Sequence, residues 1–303
     1  MSWNNAHGAA MIAAAQAHAA LGTASGEYVD VFVAMGQAGV EVVGHALGGL
    51  LGLYVDRSAG GPACLLNTGL EEVAMRHTAA HELGHHRMGH GTSIDHEEQS
   101  SGRWGEGWPQ HEKEAEAFAS WFLMPRPAAR TALAQCGLRR PESPVDVYRM
   151  ARWLGTPYAT TVRHLVRLKM IDRSAEALWL KHSPAALKAD LTSGLPLGPH
   201  AHAHVLTAAA HGALLHVAAG DCLLLDVPSA VFDPLPGGLT PVPPGGGSQL
   251  PLPDLVPRQR AVAWVNEDMA GDTRVTATTH AADVFRVTLR CTPGRDGSDA
   301  FWA

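Results

Sequence analysis

The segment His81-Glu82-Leu83-Gly84-His85 places two histidines four positions apart, with a glutamate directly after the first. In an α-helix, positions i and i+4 share one face, so His81 and His85 can offer two imidazole nitrogens to one metal ion. A glutamate one position on stands beside the metal, where a general base takes a proton from the attacking water. The spacing therefore predicts metal-assisted hydrolysis with Glu82 as the catalytic residue.

A third metal ligand must come from elsewhere in the chain, and histidine is one source. The metzincin pattern needs a glycine three residues after the second histidine and a third histidine three residues further on. Here position 88 is Met, Gly89 comes next, and His90 follows it directly, so the spacing fails at both points. We therefore interpret His86 and His90 as residues at a helix end or on the surface.

The other source is a carboxylate from the helix predicted after Pro109. Glu112 and Glu116 lie four positions apart and share a face with alanines and Leu123. Burying carboxylates on such a face is costly unless something pairs them, and a metal between histidines would do so. We predict Glu112 as a metal ligand and Glu116 as the acceptor of an imidazole N–H. A solvated charge run, with Lys113 as counter-charge, is the competing interpretation.

Helices must position these side chains. We predict one over 70–88, ended by glycine, and another over 109–124, stopped by prolines. Two earlier helices are predicted over 6–21 and 27–36. Short strands over 40–44, 50–55 and 63–67 are predicted to form a small antiparallel sheet. Residues 90–108 are polar and glycine-rich, which predicts a loop.

Two sequence motifs around the predicted site resemble the ImmA/IrrE family of metallopeptidases. That family has Arg-x-Thr-x-Ala before a HELGH helix and, later, Glu-x-x-Ala-Asn-x-Phe-Ala closing on Leu-Met-Pro. The corresponding residues are Arg76, Thr78 and Ala80, then Glu112, Ala115, Phe118, Ala119 and Leu123-Met124-Pro125. The likeness covers roughly residues 25–175. It departs from the family at His77 and Ala79, and at Glu116, where Asn or Asp is usual.

The resemblance implies a zincin-like, gluzincin-type zinc endopeptidase. In it His81, His85 and Glu112 would bind one Zn²⁺ per chain, and Glu82 would be the catalytic base. It also implies a protein substrate, namely a helix-turn-helix transcriptional repressor whose cleavage releases stress or mobile-element genes. Two candidates for the donor that stabilises the oxyanion of the reaction are Tyr158 and His164.

Composition and pattern predict an α+β chain of three segments. Residues 1–125 form the zinc metallopeptidase domain, 126–195 a basic, helix-turn-helix-like helical domain, and 196–303 a β-rich domain with a Pro/Gly-rich loop at 234–258. Strands of the last segment are predicted over 222–227, 261–265, 274–278 and 284–290. With 46% hydrophobic and 17% charged residues among 303, global disorder is excluded.

Localisation and partners follow from charge and cysteines. No apolar run approaches the roughly 20 residues of a membrane span, and no basic residue precedes the apolar stretch 9–21 as a signal peptide requires. The four cysteines are far apart, without CxxC, which indicates reduced thiols. We therefore expect a cytoplasmic protein with no membrane partner.

The alternative function is a DNA-binding transcriptional regulator with a structural or vestigial metal site. Residues 126–173 hold ten Lys and Arg against three acids, a net charge of +7. Because the whole chain has a net charge of −6, the rest of the chain has a net charge of −13. Such an acidic remainder disfavours tight contact with a phosphate backbone. Among the 18 histidines, His200, His202 and His204 alternate as strand residues would, which suggests either a further metal site or a polar linker.

Overall fold

The computed structural model describes residues 2–96, 107–242 and 261–291. In chain order, the α-helices of this part are α1 (Trp3–Leu21), α2 (Val31–Gln37), α3 (Glu72–Met88), α4 (Gln110–Leu123), α5 (Arg126–Gln135), α6 (Pro144–Leu154), α7 (Tyr158–Arg167), α8 (Arg173–Trp179) and α9 (Pro184–Thr192). The strands are β1 (Glu41–His45), β2 (Leu50–Val55), β3 (Ala63–Asn67), β4 (Ser93–His96), β5 (Ala203–Thr207), β6 (Leu214–Val217), β7 (Cys222–Asp226), β8 (Ala230–Phe232), β9 (Leu239–Pro241), β10 (Ala261–Val265), β11 (Asp272–Thr279) and β12 (Val284–Cys291).

These elements confirm the predicted α+β class, while the zincin-like label stays a prediction. They form two compact units. Within the described ranges, the first holds residues 2–130 and 154–168, and the second holds 131–153 and 169–291. The three-segment division of the sequence also stays a prediction, because a compact unit need not be an independently folding domain. No helix in the described ranges has the length and apolar character needed to cross a membrane.

In the first unit, α1 and α3 both pack on α4. The face of α1 that is buried carries small side chains at helical spacing, which allow close approach: Ala6, Ala10, Ala14 and Ala17. On α3, Gly84 does the same, because a Cβ there would lie 3.1 Å from the Cα of Ala115 in α4. The glycine therefore brings the His81–His85 face of α3 against the Glu112 helix.

The sheet of the first unit has the order β1-β3-β2-β4 and is mixed. We expected it to be antiparallel, which is correct for β2 with β3 and β4 but wrong for β1, which pairs with β3 in parallel. Asn67, at the end of β3, contacts the connection between β1 and β2. Its Nδ2 donates to the carbonyls of Leu47 and Leu50, both at 2.8 Å. The β1–β2 connection is thereby held across the end of β3, and β3 lies between the two strands.

Strand β4 lies inside the segment predicted to be a loop, so that prediction is wrong for residues 93–96. The strand is only four residues long and mostly polar, which gives no clear alternation to recognise. It forms its hydrogen bonds with β2, a pairing that depends on tertiary structure. Residues 97–106 of the predicted loop lie outside the described residues.

The second unit contains two four-stranded sheets, ordered β5-β7-β10-β9 and β6-β12-β11-β8. Each has one parallel pair, β5 with β7 and β6 with β12. The strands predicted near 222, 261, 274 and 284 are all present. Strand β9 falls within the predicted loop 234–258, pairing with β10 where leucine and threonine interrupt the prolines. Residues 243–258 of that loop are outside the described part.

A buried hydrogen bond between side chains joins β5 to the turn before β7. His204 Nε2 lies 2.8 Å from Asp221 Oδ2, and both residues are at most 4% exposed. The same carboxylate accepts hydrogen bonds from the backbone N–H groups of His202 and Ala218. Of the three alternating histidines, His204 lies within β5, while His200 and His202 lie in the turn and the irregular segment before it. Because Asp221 has these partners, we read the cluster as a structural tie between strands.

Candidate metal centre

The HExxH segment lies in the middle of α3, on its buried side. The helix ends at Gly89, whose φ of 72° is the left-handed conformation of a helix C-cap. His81 is 5% exposed, and Glu82 and His85 are fully buried. The i, i+4 spacing therefore turns both imidazoles inward, as the sequence predicts.

Three side chains converge at this face. His81 Nε2 lies 3.0 Å from His85 Nε2 and 3.1 Å from Glu112 Oε2, and the distance from His85 Nε2 to the same oxygen is 3.6 Å. One ligand atom from each residue falls within 4.8 Å of the others, and all three residues are buried. In the described part of the chain, no other group of three or more His, Cys, Asp or Glu residues brings its ligand atoms this close together.

The other carboxylate oxygen of Glu112, Oε1, contacts two residues that the sequence analysis did not predict. Ser93 in β4 donates to Oε1 at 2.5 Å, and His111 Nε2 lies 3.0 Å from the same oxygen. Burial works to raise the pKa of Glu112, but its hydrogen bonds with His81, His85 and Ser93 hold it well below the usual range. The carboxylate is therefore ionised at neutral pH.

Glu116 stands one turn further along α4, between two histidines. Its Oε2 lies 2.9 Å from His77 Nε2 and 3.6 Å from His81 Nδ1. Burial alone would raise the pKa of Glu116, but the charge and hydrogen bond of His77, with His81 beside it, lower it well below normal. The carboxylate thus bonds with His77 and lies beside Nδ1 of His81, farther away than a hydrogen bond, so its role toward His81 stays a prediction.

His85 suits a metal ligand because of its protonation state. Burial lowers the pKa of His85 to about 4, so the ring is neutral at pH 7 and has a nitrogen lone pair available. With Nε2 directed at His81 and Glu112, its Nδ1 points away from them toward His90, 3.0 Å distant.

Glu82 is fully buried, and its carboxylate lies against strand β2. A Cβ built on Gly52 would come within 2.5 Å of Glu82 Oε1 and 2.7 Å of Thr78 Cγ2. A glycine at this point of the strand leaves room for the carboxylate.

The two oxyanion candidates are both buried in α7. Tyr158 is 3% exposed, and burial raises its pKa to about 12. His164 is 2% exposed, with Nε2 2.9 Å from the Met124 carbonyl oxygen and its ring edge-on to Trp121. His164 therefore contributes to packing and hydrogen bonding around Met124. Their catalytic role stays a prediction, and the function proposed below does not use it.

Five residues around the site were not predicted from sequence, namely Ser93, Gly52, His111, His90 and Glu114. Ser93 and Gly52 lie on strands that tertiary pairing brings to α3 and α4, so their spacing carries no signal. His90 and Glu114 contact each other, with His90 Nε2 3.2 Å from Glu114 Oε2. The sequence could have indicated this contact, because a glycine at position 89 ends α3 and turns the chain so that His90 lies against the helix.

The donor set fits a divalent transition metal. Two neutral imidazoles and one carboxylate are the protein ligands of many hydrolytic zinc sites, with a further position open to water. The buried Glu112 carboxylate supports this, because an anion among imidazoles is best compensated by a cation. Ser93 donates a hydrogen bond to Glu112, which helps to orient this ligand.

Comparison with known proteins identifies part of the chain. No curated protein matches the sequence. Among solved structures, a cysteine protease inhibitor from Entamoeba histolytica aligns with 31% of this chain and 99% of its own, at 14% identity and a TM-score of 0.19. A score this low supports no argument. Residues 36–137 match the IrrE N-terminal-like domain of the family Peptidase_M78, and this segment carries strands β1 to β4 and helices α3 to α5. Residues 36–137 are therefore similar to a metallopeptidase domain of the ImmA/IrrE type.

Proposed function

We propose that this protein is a zinc-dependent endopeptidase whose metal is held by His81, His85 and Glu112. The observation that carries the proposal is the convergence of these three buried side chains, with one ligand atom from each within 4.8 Å of the others. The family match supports it, because the matched residues include the whole ligand set.

Each residue of the proposed site has a separate role in peptide hydrolysis. When bound, the metal would act as a Lewis acid toward water and the scissile carbonyl. Glu82 takes the proton of the attacking water and returns it to the leaving amine, as a general base and then a general acid. Gly52 leaves room for the Glu82 carboxylate, and Ser93 donates a hydrogen bond to Glu112.

The proposed substrate is a protein, specifically a helix-turn-helix transcriptional repressor whose cleavage releases stress or mobile-element genes. Support for the repressor comes from the resemblance of the two motifs to the ImmA/IrrE family. The segment over 126–173, with its net charge of +7, provides a surface that would attract an acidic face of such a partner.

A DNA-binding role gains no support from this basic segment. Several of its arginines are engaged by the protein itself, through backbone carbonyls, an amide oxygen or a tyrosine ring: Arg126, Arg149, Arg152 and Arg167. An arginine held in this way has fewer donors left for phosphate oxygens. We therefore keep the peptidase function as the proposal.

Metal analysis and a catalytic variant test the proposal together. We expect about one zinc per purified chain, lost in His81→Ala and Glu112→Ala and retained in Glu82→Gln. Wild type should generate new protein N-termini in a cell lysate, and Glu82→Gln should generate none of them. A metal-free wild-type protein would overturn the metal site. Equal cleavage by Glu82→Gln would remove Glu82 as the base, and new termini without any in a helix-turn-helix protein would contradict the substrate.

A further inference from the structure

We propose that His90 and Glu114 are positioning residues that orient the metal ligand His85 through a hydrogen-bonded chain. The inference rests on the proposed function, because it requires His85 to bind metal through Nε2. It adds to the site two residues outside the ligand set, on the side of His85 that faces away from His81 and Glu112.

The chain runs outward from the His85 ring through three contacts. His85 Nδ1 lies 3.0 Å from His90 Nδ1, and His90 Nε2 lies 3.2 Å from Glu114 Oε2. Gln110 Nε2 donates to the other oxygen of Glu114 at 2.7 Å. The His90 side chain is 11% exposed and that of Glu114 is 20% exposed, so water competes little for these bonds.

Metal binding fixes where each proton of this chain lies. A metal on Nε2 of His85 leaves the proton on Nδ1, which must donate to Nδ1 of His90. His90 is then neutral with its own proton on Nε2, which donates to the Glu114 carboxylate. In the other neutral tautomer of His90, two N–H groups would face each other and a lone pair would face the carboxylate. The metal-bound state and this one tautomer therefore favour each other.

The backbone also ties His90 to His85. Gly89 has φ 72°, and this left-handed turn folds the chain back, so that the His90 N–H donates to the His85 carbonyl at 2.9 Å. A residue with a side chain at position 89 would be strained in this conformation. The His90 ring is thus placed on the His85 ring by the end of α3 itself.

The two ligating histidines differ in how firmly they are oriented. The Nδ1 of His81 lies 3.6 Å from Glu116 Oε2, which is beyond a good hydrogen bond, while Nδ1 of His85 has an acceptor at 3.0 Å. We therefore expect the loss of His90 to affect metal binding directly.

The test measures zinc affinity, by competition with a chromophoric chelator, and the visible absorption of the cobalt(II)-substituted protein. We expect His90→Ala to weaken zinc binding about 10- to 100-fold and to alter the cobalt bands, because the His85 ring loses its acceptor. His90→Asn returns an oxygen acceptor near the position of Nδ1 and should recover most of the affinity. Glu114→Ala should weaken binding less, since it removes only the outer acceptor.

A matched control is His45→Ala, which removes an exposed histidine of the same unit and should leave affinity and spectrum unchanged. Wild-type affinity and an unchanged cobalt spectrum in both His90→Ala and Glu114→Ala would overturn the inference and leave the proposed function standing. A wild-type protein that binds no zinc would overturn both. If His90→Ala fails to fold, the comparison of zinc affinity between Glu114→Ala and wild type tests the inference, because Glu114 is the outer acceptor of the hydrogen-bonded series.

Discussion

Gly52 and Glu82 are so close that a single methyl group cannot be placed between them. The Cβ of a residue at position 52 would lie 2.5 Å from Glu82 Oε1, well inside van der Waals contact. The strand that carries Gly52 therefore determines where the proposed base can lie, although it supplies no ligand and no proton.

Gly52→Ala should displace the Glu82 carboxylate and lower kcat/KM for peptide cleavage about 100-fold, because small misplacements of a reacting group are costly. Zinc content should stay at the wild-type value, since the substituted residue does not touch the ligand set. Steady-state cleavage of a protein substrate and metal analysis measure the two effects. Gly26→Ala, at a glycine with open space around its Cβ position, is the matched control. A wild-type rate in Gly52→Ala would contradict the positioning of Glu82 by β2.

Ser93→Ala removes the hydroxyl that donates to Glu112 Oε1 at 2.5 Å. We expect zinc affinity to fall about 10-fold, because the carboxylate loses a group that orients it. Chelator competition at pH 7 gives the affinity, and Ser25→Ala, an exposed serine of the same unit, serves as control. Equal affinities in the two variants would show that Glu112 is oriented without Ser93.

The pH dependence of stability should report on His164. Burial lowers the pKa of His164 to about 3, against 6.5 for an exposed ring. Between these values the unfolded chain holds the proton and the folded chain does not, so the free energy of unfolding falls as the pH falls. From pH 6.5 to pH 5 the loss is about 2 kcal/mol.

His164→Gln keeps an N–H donor for the Met124 carbonyl but does not titrate. The fall in the free energy of unfolding between pH 7 and pH 5 should therefore be smaller in this variant by about 2 kcal/mol. Urea unfolding at both pH values, with chelator present, measures it. His45→Gln should show the full wild-type dependence. The same dependence in His164→Gln and wild type would mean that His164 titrates normally in the folded protein.

Asp221→Asn should destabilise the second unit by about 2 kcal/mol, because a buried carboxylate that accepts three hydrogen bonds is replaced by a neutral amide. The amide keeps one acceptor oxygen, but His204 and the N–H groups of His202 and Ala218 cannot all share it. Thermal and urea unfolding give the size of the effect, with the exposed Asp268→Asn as control. A loss no larger than that of the control would show that the pair contributes little.

The sequence was informative where chemistry depends on local spacing. His81 and His85 could be placed on one buried face because helical periodicity is a property of consecutive residues. Glu112 and Glu116 followed from the same argument, because two carboxylates on an apolar face need a partner. Their positions in the structure agree with these expectations, while their roles remain to be tested.

Features that depend on tertiary pairing could not be predicted in this way. Strand β4, and with it Ser93, is too short and polar to recognise without its partner β2. The parallel pairing of β1 with β3 brings together residues about 20 positions apart, which no local periodicity reveals. The contact between Gly52 and the Glu82 carboxylate joins a strand to a helix, so the spacing of residues along the chain does not show it.

The close contact of α3 with α4 at Gly84 gives the metal a structural consequence as well as a chemical one. His85 and Glu112 lie on different helices, and residues 86–111 connect them. A metal bound to both would cross-link the folded chain around this segment, and because the unfolded chain has no preformed site, the free energy of metal binding would add to the stability of the folded state. Removal of the metal would therefore lower the unfolding temperature of the first unit and increase proteolysis between its two ligand helices.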